Sequence, residues 1–439
     1  MSPAVRLIRR FAPVEPREAP AITAAFCLYF CMLAGYFAVR PIRETLGTVL
    51  GRDRVTNIFL ATWIASIAVV PLYGWVVAKF RRSTFLPAMY AIIALVLAGV
   101  GVAMHGDEAS IAVGQFFYVF ISVINFFMVS VFWSFMLELL DGGQVKRLFG
   151  VVAAGGTAGA LMGPFLTDQV VGYVGNSGVL FLGASLFALA IVFQRRLLSI
   201  WRDSWDVPSA GVAGDTTHAP VHVNERDKAI GGNPFAGFTL VLRSPYLLAI
   251  ALFVVFLSAM NTFLYFEQLR LVEQTFPDMA SRTRVFARID WIVQALTIVA
   301  QVYITGRIAS RMGLTVLLMV VPLVMIAGFA TLTVLNTFAV VAVVMIVRRT
   351  GEYALVRPGR EMLFSRFDME TKYKAKNLID VPVYRGADAL VAQARNVVES
   401  AGMTPLGMAW LGAGVAVLGA INGWWLGRRH DRDVAAHGE

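Results

Sequence analysis

AITAAFCLYFCMLAGYFAVRPIRETLG, residues 21–47, decides the fold. From Ala21 to Val39 it carries no charged side chain, and then Arg40, Arg43 and Glu44 fall within about one helical turn. At 1.5 Å rise per residue, a helix over the apolar part reaches across the ~30 Å hydrocarbon core of a bilayer. The run is longer than the core of a signal peptide, and no small-x-small cleavage site follows it, so the pattern predicts a retained span over 20–39. The charges at its end are open to two readings: an anchor at the membrane surface, or the mouth of a binding site. Cys27 and Cys31 lie four residues apart in this run. They read as small buried side chains, since two thiols make no metal site.

The pattern recurs along the chain. The 439 residues are 58% hydrophobic and only 15% charged, against about 25% charged in a typical soluble domain. Apolar runs predict twelve spans, near 20–39, 57–78, 84–104, 110–137, 148–173, 177–194, 246–266, 288–308, 313–333, 337–356, 376–398 and 405–427. Charge interrupts the eighth, tenth and eleventh, which need the protein interior to shield them. The expected class is an all-α integral membrane protein with twelve transmembrane helices in two six-helix halves. An N-terminal tail (1–19) precedes the first half (20–194). A linker (195–245) containing VPSAGVAGDTTHAP and GGNP leads to the second half (246–427), and a short tail (428–439) follows. Two six-helix halves joined by such a linker resemble the major facilitator superfamily, in which the first and fourth helices of each half line a central cavity. Here those are the first, fourth, seventh and tenth spans.

Charge placement sets the expected orientation. With the N-terminus in the cytoplasm, 26 of the 38 Lys and Arg fall in cytoplasmic tails and loops, the positive-inside pattern. This explains a net charge of +10 without nucleic acid. It predicts a multi-pass protein with both termini cytoplasmic; the expected setting is a bacterial inner membrane, with membrane lipid around a monomer. The external loops at 40–56 and 267–287 break the pattern with several arginines each, after the first helix of each half. No cluster of metal ligands and no nucleophile–base pair is legible, which argues against an enzyme, a metal or a cofactor. The His residues lie in loops or tails rather than in spans.

The tenth span, VVAVVMIVRRTGEYALVRP (340–358), places Arg348 and Arg349 11 or 12 residues from its external end. That is about 17 Å deep, near mid-bilayer, where a lipid-facing arginine is costly. Either one serves a substrate, or both are structural partners of Glu352, one turn away. In the fourth span, FFMVSVFWSFMLELLD (126–141) follows Asn125, a candidate ligand. Trp133 stacks on a planar ligand or simply packs, and Glu138 carries a proton or pairs with Lys146 or Arg147. KRLFGVVAAGGTAGALMGP (146–164) lacks the order of a phosphate loop. Its Gly155, Gly159 and Gly163 instead predict a small-residue face for close helix packing. NTFLYFEQLR (261–270) supplies Glu267, and KAKNLIDVPVYRGAD (374–388) supplies Lys376, Asp380, Arg385 and Asp388, read as gating charges or direct ligands.

Several of these segments together resemble the ATP/ADP exchange transporters of intracellular bacteria and plastids. YFAVRPIRETL (36–46) is similar to that family's first-helix ending, and FWSFMLELLDGGQVKRLFG (132–150) and LYFEQLRLVEQTFPD (264–278) are similar to two later stretches. The longest is EYALVRPGREMLFSRFDMETKYKAKNLIDVPVYRGAD (352–388), where Arg360, Glu361, Lys376, Asp380 and Arg385 fall on charged family positions. Arg43 and Arg360 stand where the family usually has lysine, and Glu44 replaces an aspartate; arginine binds oxyanions as a fork, lysine as a point charge. The resemblance implies a secondary transporter for an anionic, phosphorylated organic solute such as a nucleotide, working by alternating access and exchange. Arg40, Arg43, Arg348, Arg349, Trp133 and Asn125 are then substrate-binding candidates. Glu44, Glu138, Glu267, Glu352, Lys376, Asp380, Arg385 and Asp388 are coupling or gating candidates. Two alternatives stand beside it. One is a proton-coupled carrier of another organic anion or amphiphile, with Glu44, Glu138 or Glu267 taking the proton. The other is a membrane scaffold or partner-binding subunit.

Overall fold

The computed structural model describes residues 15, 18–79, 82–105, 110–140, 142–205, 236–367, 375–376 and 378–437. Most of the expected tail at 1–19 and of the linker at 195–245 lies outside these residues. The described chain is helical throughout, with no strand among the described residues. Its elements are α1 (Ala19–Leu50), α2 (Arg52–Lys79), α3 (Arg82–Ala103), α4 (Ile111–Leu139), α5 (Gly142–Trp205) and α6 (Ala236–Arg243). There follow α7 (Pro245–Thr275), α8 (Met279–Ala300), α9 (Gly306–Val334), α10 (Phe338–Gly351), α11 (Arg357–Leu363), α12 (Tyr384–Ser400) and α13 (Pro405–His437).

The expectation of twelve membrane helices in two six-helix halves is not met. Seven segments among the described residues are long and apolar enough to cross a membrane. The expected spans at 148–173 and 177–194 form one segment, Arg147–Trp201, and those at 288–308 and 313–333 form another, Met279–Val334. Each contains one glycine where the backbone leaves helical geometry, Gly175 at φ 65° and Gly313 at φ 76°. The expected spans at 337–356 and 376–398 do not qualify, because buried charge dilutes their hydropathy. Wide π turns also interrupt them, at Glu352–Val356 and Ile379–Val383. The one at 57–78 falls partly on residues whose side chains are not described. The protein remains an all-α, multi-span membrane protein. Large apolar side chains such as Leu95 (72% exposed) and Trp410 (60%) face outward, as a lipid-facing surface requires.

The glycine face of α5 does what its spacing predicts. A Cβ added at Gly155, Gly159 or Gly163 would sit 2.4–2.5 Å from the carbonyl oxygens of Phe26, Phe30 and Ala34. Backbone therefore lies against backbone, and Thr167 continues the seam by donating to the Ala38 carbonyl at 2.8 Å. Beyond Gly175 the contacts run the other way, with Gly183 against Val39 and Phe187 against Gly35. The reversal at Gly175 thus lays both arms of α5 on α1. In the second half, α9 and α13 pack antiparallel, with Gly412 against Phe329, Gly423 against Leu318 and Gly427 against Thr315. The buried apolar residues form two clusters, one drawn mainly from 19–197 and the other from 241–426.

These two parts are tied at the end of the molecule that carries Leu50. Arg52 pairs with Glu399. Arg282 donates to Thr48 at 2.9 Å, and the hydroxyls of Thr45 and Thr283 meet at 2.7 Å. Asp168 accepts from Arg288 at 3.1 Å and from Trp291 at 3.0 Å. At the opposite end the ion pairs found among the described residues stay within one part: Arg147 with Glu18, Arg360 with Asp380, Lys376 with Glu361.

Candidate functional site

Between the two parts lies a cavity of about 480 Å³. Its wall is built from α1 (Tyr36, Arg40, Arg43, Glu44), α4 (Tyr118, Ser122, Asn125) and α7 (Asn261, Tyr265, Gln268). The far wall comes from α8 (Asp290), α10 with its π turn (Arg348, Arg349, Glu352, Tyr353), α11 (Arg357, Arg360) and the 380–388 segment. The cavity is closed at the Leu50 end by the ties above and opens toward α11, where Arg357 and Glu361 are exposed.

The π turns shape this wall. Turn Glu352–Val356 ends with the Arg357 N–H donating to the Glu352 carbonyl, and Thr305 of the turn Gln301–Thr305 donates to the Ala354 carbonyl at 2.8 Å. The turn Ile379–Val383 holds Pro382, which has no N–H to give; its carbonyl accepts from the Trp63 indole at 3.2 Å. Such widened turns inside helices recur at functional sites, since they re-aim side chains without ending the helix.

The deepest charges form one network. Asp290, 3% exposed, accepts from Arg40 at 3.2 Å through each carboxylate oxygen, and also from Arg349. Glu44 pairs with Arg43 and lies 3.8 Å from Arg40. Arg43 also donates to Ser122 at 3.2 Å and lies 5.2 Å from the ring centroid of Tyr118, whose hydroxyl meets that of Tyr265 at 2.7 Å. Three guanidinium groups thus share two carboxylates. Arg43 Nε and Arg349 Nη2 are buried without a hydrogen-bond partner among the described residues. Buried donors are almost always paired in folded proteins, so two free guanidinium N–H groups beside a cavity mark a place for an acceptor.

Other charges of the wall are paired, with Arg348 Nε also buried and without a hydrogen bond among the described residues. Arg348 donates to Glu352 at 2.8 Å, both buried. Arg360 lies 2.9 Å from Asp380, and Arg385 3.6 Å from Asp388. Asp388 is also hydrogen-bonded by Ser258 at 2.5 Å and Thr262 at 3.4 Å.

Of the residues singled out from sequence, Arg40, Arg43, Asn125, Arg348, Arg349, Glu44, Glu352, Asp380, Arg385 and Asp388 line this cavity. The other four do not. Trp133 is packed, stacked on Phe149 with centroids 4.0 Å apart and edge-on to Tyr29 and Phe132. Glu138 is exposed on α4. Glu267 is held by Arg270 and by Asn336 at 2.8 Å, away from the cavity. Lys376 touches the site through Glu361, at 2.6 Å. Sequence reasoning missed Asp290, Arg357 and the tyrosines at 36, 118, 265, 353 and 384. Asp290 had a signal, a carboxylate two residues after Arg288 at the start of an apolar run; the tyrosines had none, because a tyrosine in a span also serves as packing.

A family model described as the Major Facilitator Superfamily matches residues 25–358. The chain is 20% identical over 428 residues to ADP,ATP carrier protein 1 of Chlamydia trachomatis serovar D, covering 85% of this chain and 81% of that carrier. It is 22% identical over 377 residues to ADP,ATP carrier protein 2 of Chlamydia pneumoniae, covering 75% of this chain and 69% of the carrier. Among solved structures, the nucleoside transporter NupG superposes with a TM-score of 0.63 at 15% identity, over 94% of this chain and 99% of that one. A bacterial homolog to the human lysosomal transporter Spinster, inward-facing and unoccupied, superposes with a TM-score of 0.60 at 12% identity, over 96% and 99%. At these identities the likeness to solved structures establishes the fold.

Proposed function

The chain belongs to the Major Facilitator Superfamily, and from that premise we propose that it is a secondary transporter moving an anionic, phosphorylated organic solute, such as a nucleotide, by exchange. It is a transporter rather than an enzyme, and alternating access around a central cavity is the mode its fold provides. The observation that carries the anionic reading is the network at Asp290: guanidinium groups from both parts of the chain converge on one cavity, with two N–H donors left for an acceptor. Contacts between arginine and an oxyanion are charge-assisted and strong where water is excluded. Exchange follows if the bound anion must neutralise these arginines before the two parts can reorient around it. The sequence similarity to the chlamydial carriers, and those carriers' names, support the nucleotide version. The same reading places the protein in a bacterial inner membrane as a monomer, with both termini in the cytoplasm.

Reconstitution tests it. The purified protein in liposomes loaded with an unlabelled nucleotide should take up the same nucleotide, labelled, saturably for at least one of AMP, ADP and ATP, and empty liposomes should take up far less. Equal flux into empty and loaded vesicles would count against exchange, and absence of anion flux under every gradient would remove the anionic reading. A proton-coupled carrier of another organic anion is the second reading. Asp388 favours it: a buried carboxylate held by two hydroxyls at the cavity wall is built to carry or release a proton. A pH gradient that drives accumulation without internal substrate would select this version. Glu44 and Glu267 suit that role less well, since the arginine that engages each lies closer than Arg385 does to Asp388.

A further inference from the structure

The proposal below rests on the anionic reading above and narrows it. Among the described residues, eight cations lie in or against the cavity, seven lining arginines and Lys376, facing six lining carboxylates. The surplus is localised. One positive charge belongs to the buried trio of Arg40, Arg43 and Arg349, which shares Glu44 and Asp290. The other belongs to Arg357. Six of the lining arginines have a carboxylate within ion-pair distance, and Arg357 has none among the described residues. Its guanidinium instead lies 4.4 Å from the Tyr353 ring centroid, and it is exposed toward the open end of the cavity. A guanidinium laid over an aromatic face keeps its in-plane N–H groups free for an oxyanion.

Arg349, Tyr353 and Arg357 follow one another at intervals of four residues along α10, its π turn and α11, and all three line the cavity. At 1.5 Å per residue the two arginine backbones stand about 12 Å apart along the axis, within reach of one small organic solute given the length of the side chains. Each surplus charge is therefore placed to meet a different part of the same molecule.

We infer that Arg357 is a specificity-determining residue: it binds an oxyanion at the open side of the cavity while the buried trio binds the inner part of the solute, so that the site selects solutes of charge near −2. A monoanion leaves one of the two positive charges unmet. A tetra-anion brings about two negative charges more than the wall can neutralise, and that excess is repelled by the carboxylates of the wall.

The test holds the organic body constant and varies its charge. Wild-type protein and Arg357→Gln are titrated with adenosine, cyclic AMP, AMP and ATP, and binding is read from ligand-induced shifts in melting temperature. The wild type should bind AMP at least 10-fold more tightly than either cyclic AMP or ATP. Arg357→Gln should lose 10-fold or more for AMP, change by less than 3-fold for cyclic AMP, and keep its ligand-free melting temperature, because no ion pair is broken. Arg357→Lys should restore part of the preference for the dianion. ATP binding more tightly than AMP to the wild type, or an unchanged AMP to cyclic AMP ratio in Arg357→Gln, overturns this inference and leaves the anionic transporter standing. Failure of the wild type to bind any of the three anions at millimolar concentration overturns both.

Discussion

Arg40 donates to both carboxylate oxygens of Asp290 at 3.2 Å, tying α1 of the first part of the chain to α8 of the second. The same carboxylate holds Arg349. Removing one member of a buried ion pair leaves uncompensated charge, at a cost of about 3–5 kcal/mol. Asp290→Asn should therefore melt well below wild type without ligand. It should recover more of its stability than wild type gains when an anion is added, because the anion replaces the lost negative charge. Differential scanning fluorimetry with and without substrate reads both effects; a variant as stable as wild type would show that the network carries no strain when the carboxylate is gone.

Arg43 tests the binding role of the buried trio. Its Nε is free and its other nitrogens hold Glu44 and Ser122. Arg43→Gln should weaken apparent substrate affinity about 10-fold, the loss of one charge-assisted contact. Arg43→Lys should rescue little if the fork geometry matters and more if attraction suffices. Arg54, exposed at the start of α2, supplies the silent control as Arg54→Gln. Concentration dependence of uptake, with protein abundance measured alongside, decides it.

Gly159 was legible from sequence as a packing residue, and the structure makes it quantitative. A Cβ there would lie 2.4 Å from the Phe30 carbonyl oxygen and 3.0 Å from the Ala34 nitrogen, both backbone atoms that cannot step aside. Gly159→Ala should cost about 1–3 kcal/mol, the range for overpacking. Gly150→Ala, with nothing within 4 Å of the added carbon, should cost nothing. Comparable melting temperatures for the two variants would refute the close seam between α1 and α5.

Asp278 lies between α7 and α8 and caps α8, accepting from the Ser281 N–H at 2.7 Å. Hydrogen bonds from Ser281 hold its carboxyl below the ordinary 3.8. A carboxylate depressed in the folded state contributes stability that is present above the unfolded value and is lost as pH falls through the lower folded value. Asp278→Ala should therefore cost about 1 kcal/mol near neutral pH, the usual worth of such a cap. The difference should shrink as pH drops through and below 3.8. A gap between wild type and variant that is constant with pH would assign the loss to something other than the charged cap.

What the sequence made legible follows from how strongly each feature is constrained. Arg348 and Arg349 stood out because charge deep in an apolar run must face the protein interior or water, and both line the cavity wall. The glycine seam stood out because a period of four residues has one geometric meaning on a helix. The count of spans failed for a different reason. Hydropathy sees apolar length, and it sees neither Gly175 and Gly313, where a long apolar segment leaves helical geometry without ending, nor the π turns that let charged stretches belong to the core. Trp133 stayed open between stacking on a ligand and packing because Phe149 and Tyr29, which it meets, lie on other helices, and no local pattern records that. Arg357 was invisible for the opposite reason. At the end of a span it reads as an ordinary interfacial arginine, and only the pairing of the six other lining arginines sets it apart.

Glu399 tests the closed end. It accepts from Arg52 across the two parts of the chain and pairs with Arg395 on its own helix at 2.9 Å. Arg395, 5% exposed, also lies 4.6 Å from the Phe266 ring centroid. Glu399→Gln leaves two arginines facing each other, so the tie between α2 and α12 should give way to repulsion. Alternating access requires this end to open when the other closes, and weakening it should shift the population toward the form open at Leu50. A reporter follows from the cavity wall. Thr62 lines the cavity on α2, and a cysteine placed there in a chain with Cys27 and Cys31 replaced by alanine can be labelled only through an opening. In oriented liposomes, a membrane-impermeant maleimide added on the Leu50 side should label this cysteine several-fold faster when Glu399→Gln is also present. Substrate transport should fall in parallel, because a carrier held open on one side cannot complete its cycle. Equal labelling rates with and without Glu399→Gln would mean that the Arg52 pair does not hold the end closed, and that the other ties there, among them the Thr45, Thr283 and Asn176 hydrogen bonds and Arg282 on Thr48, carry the closure.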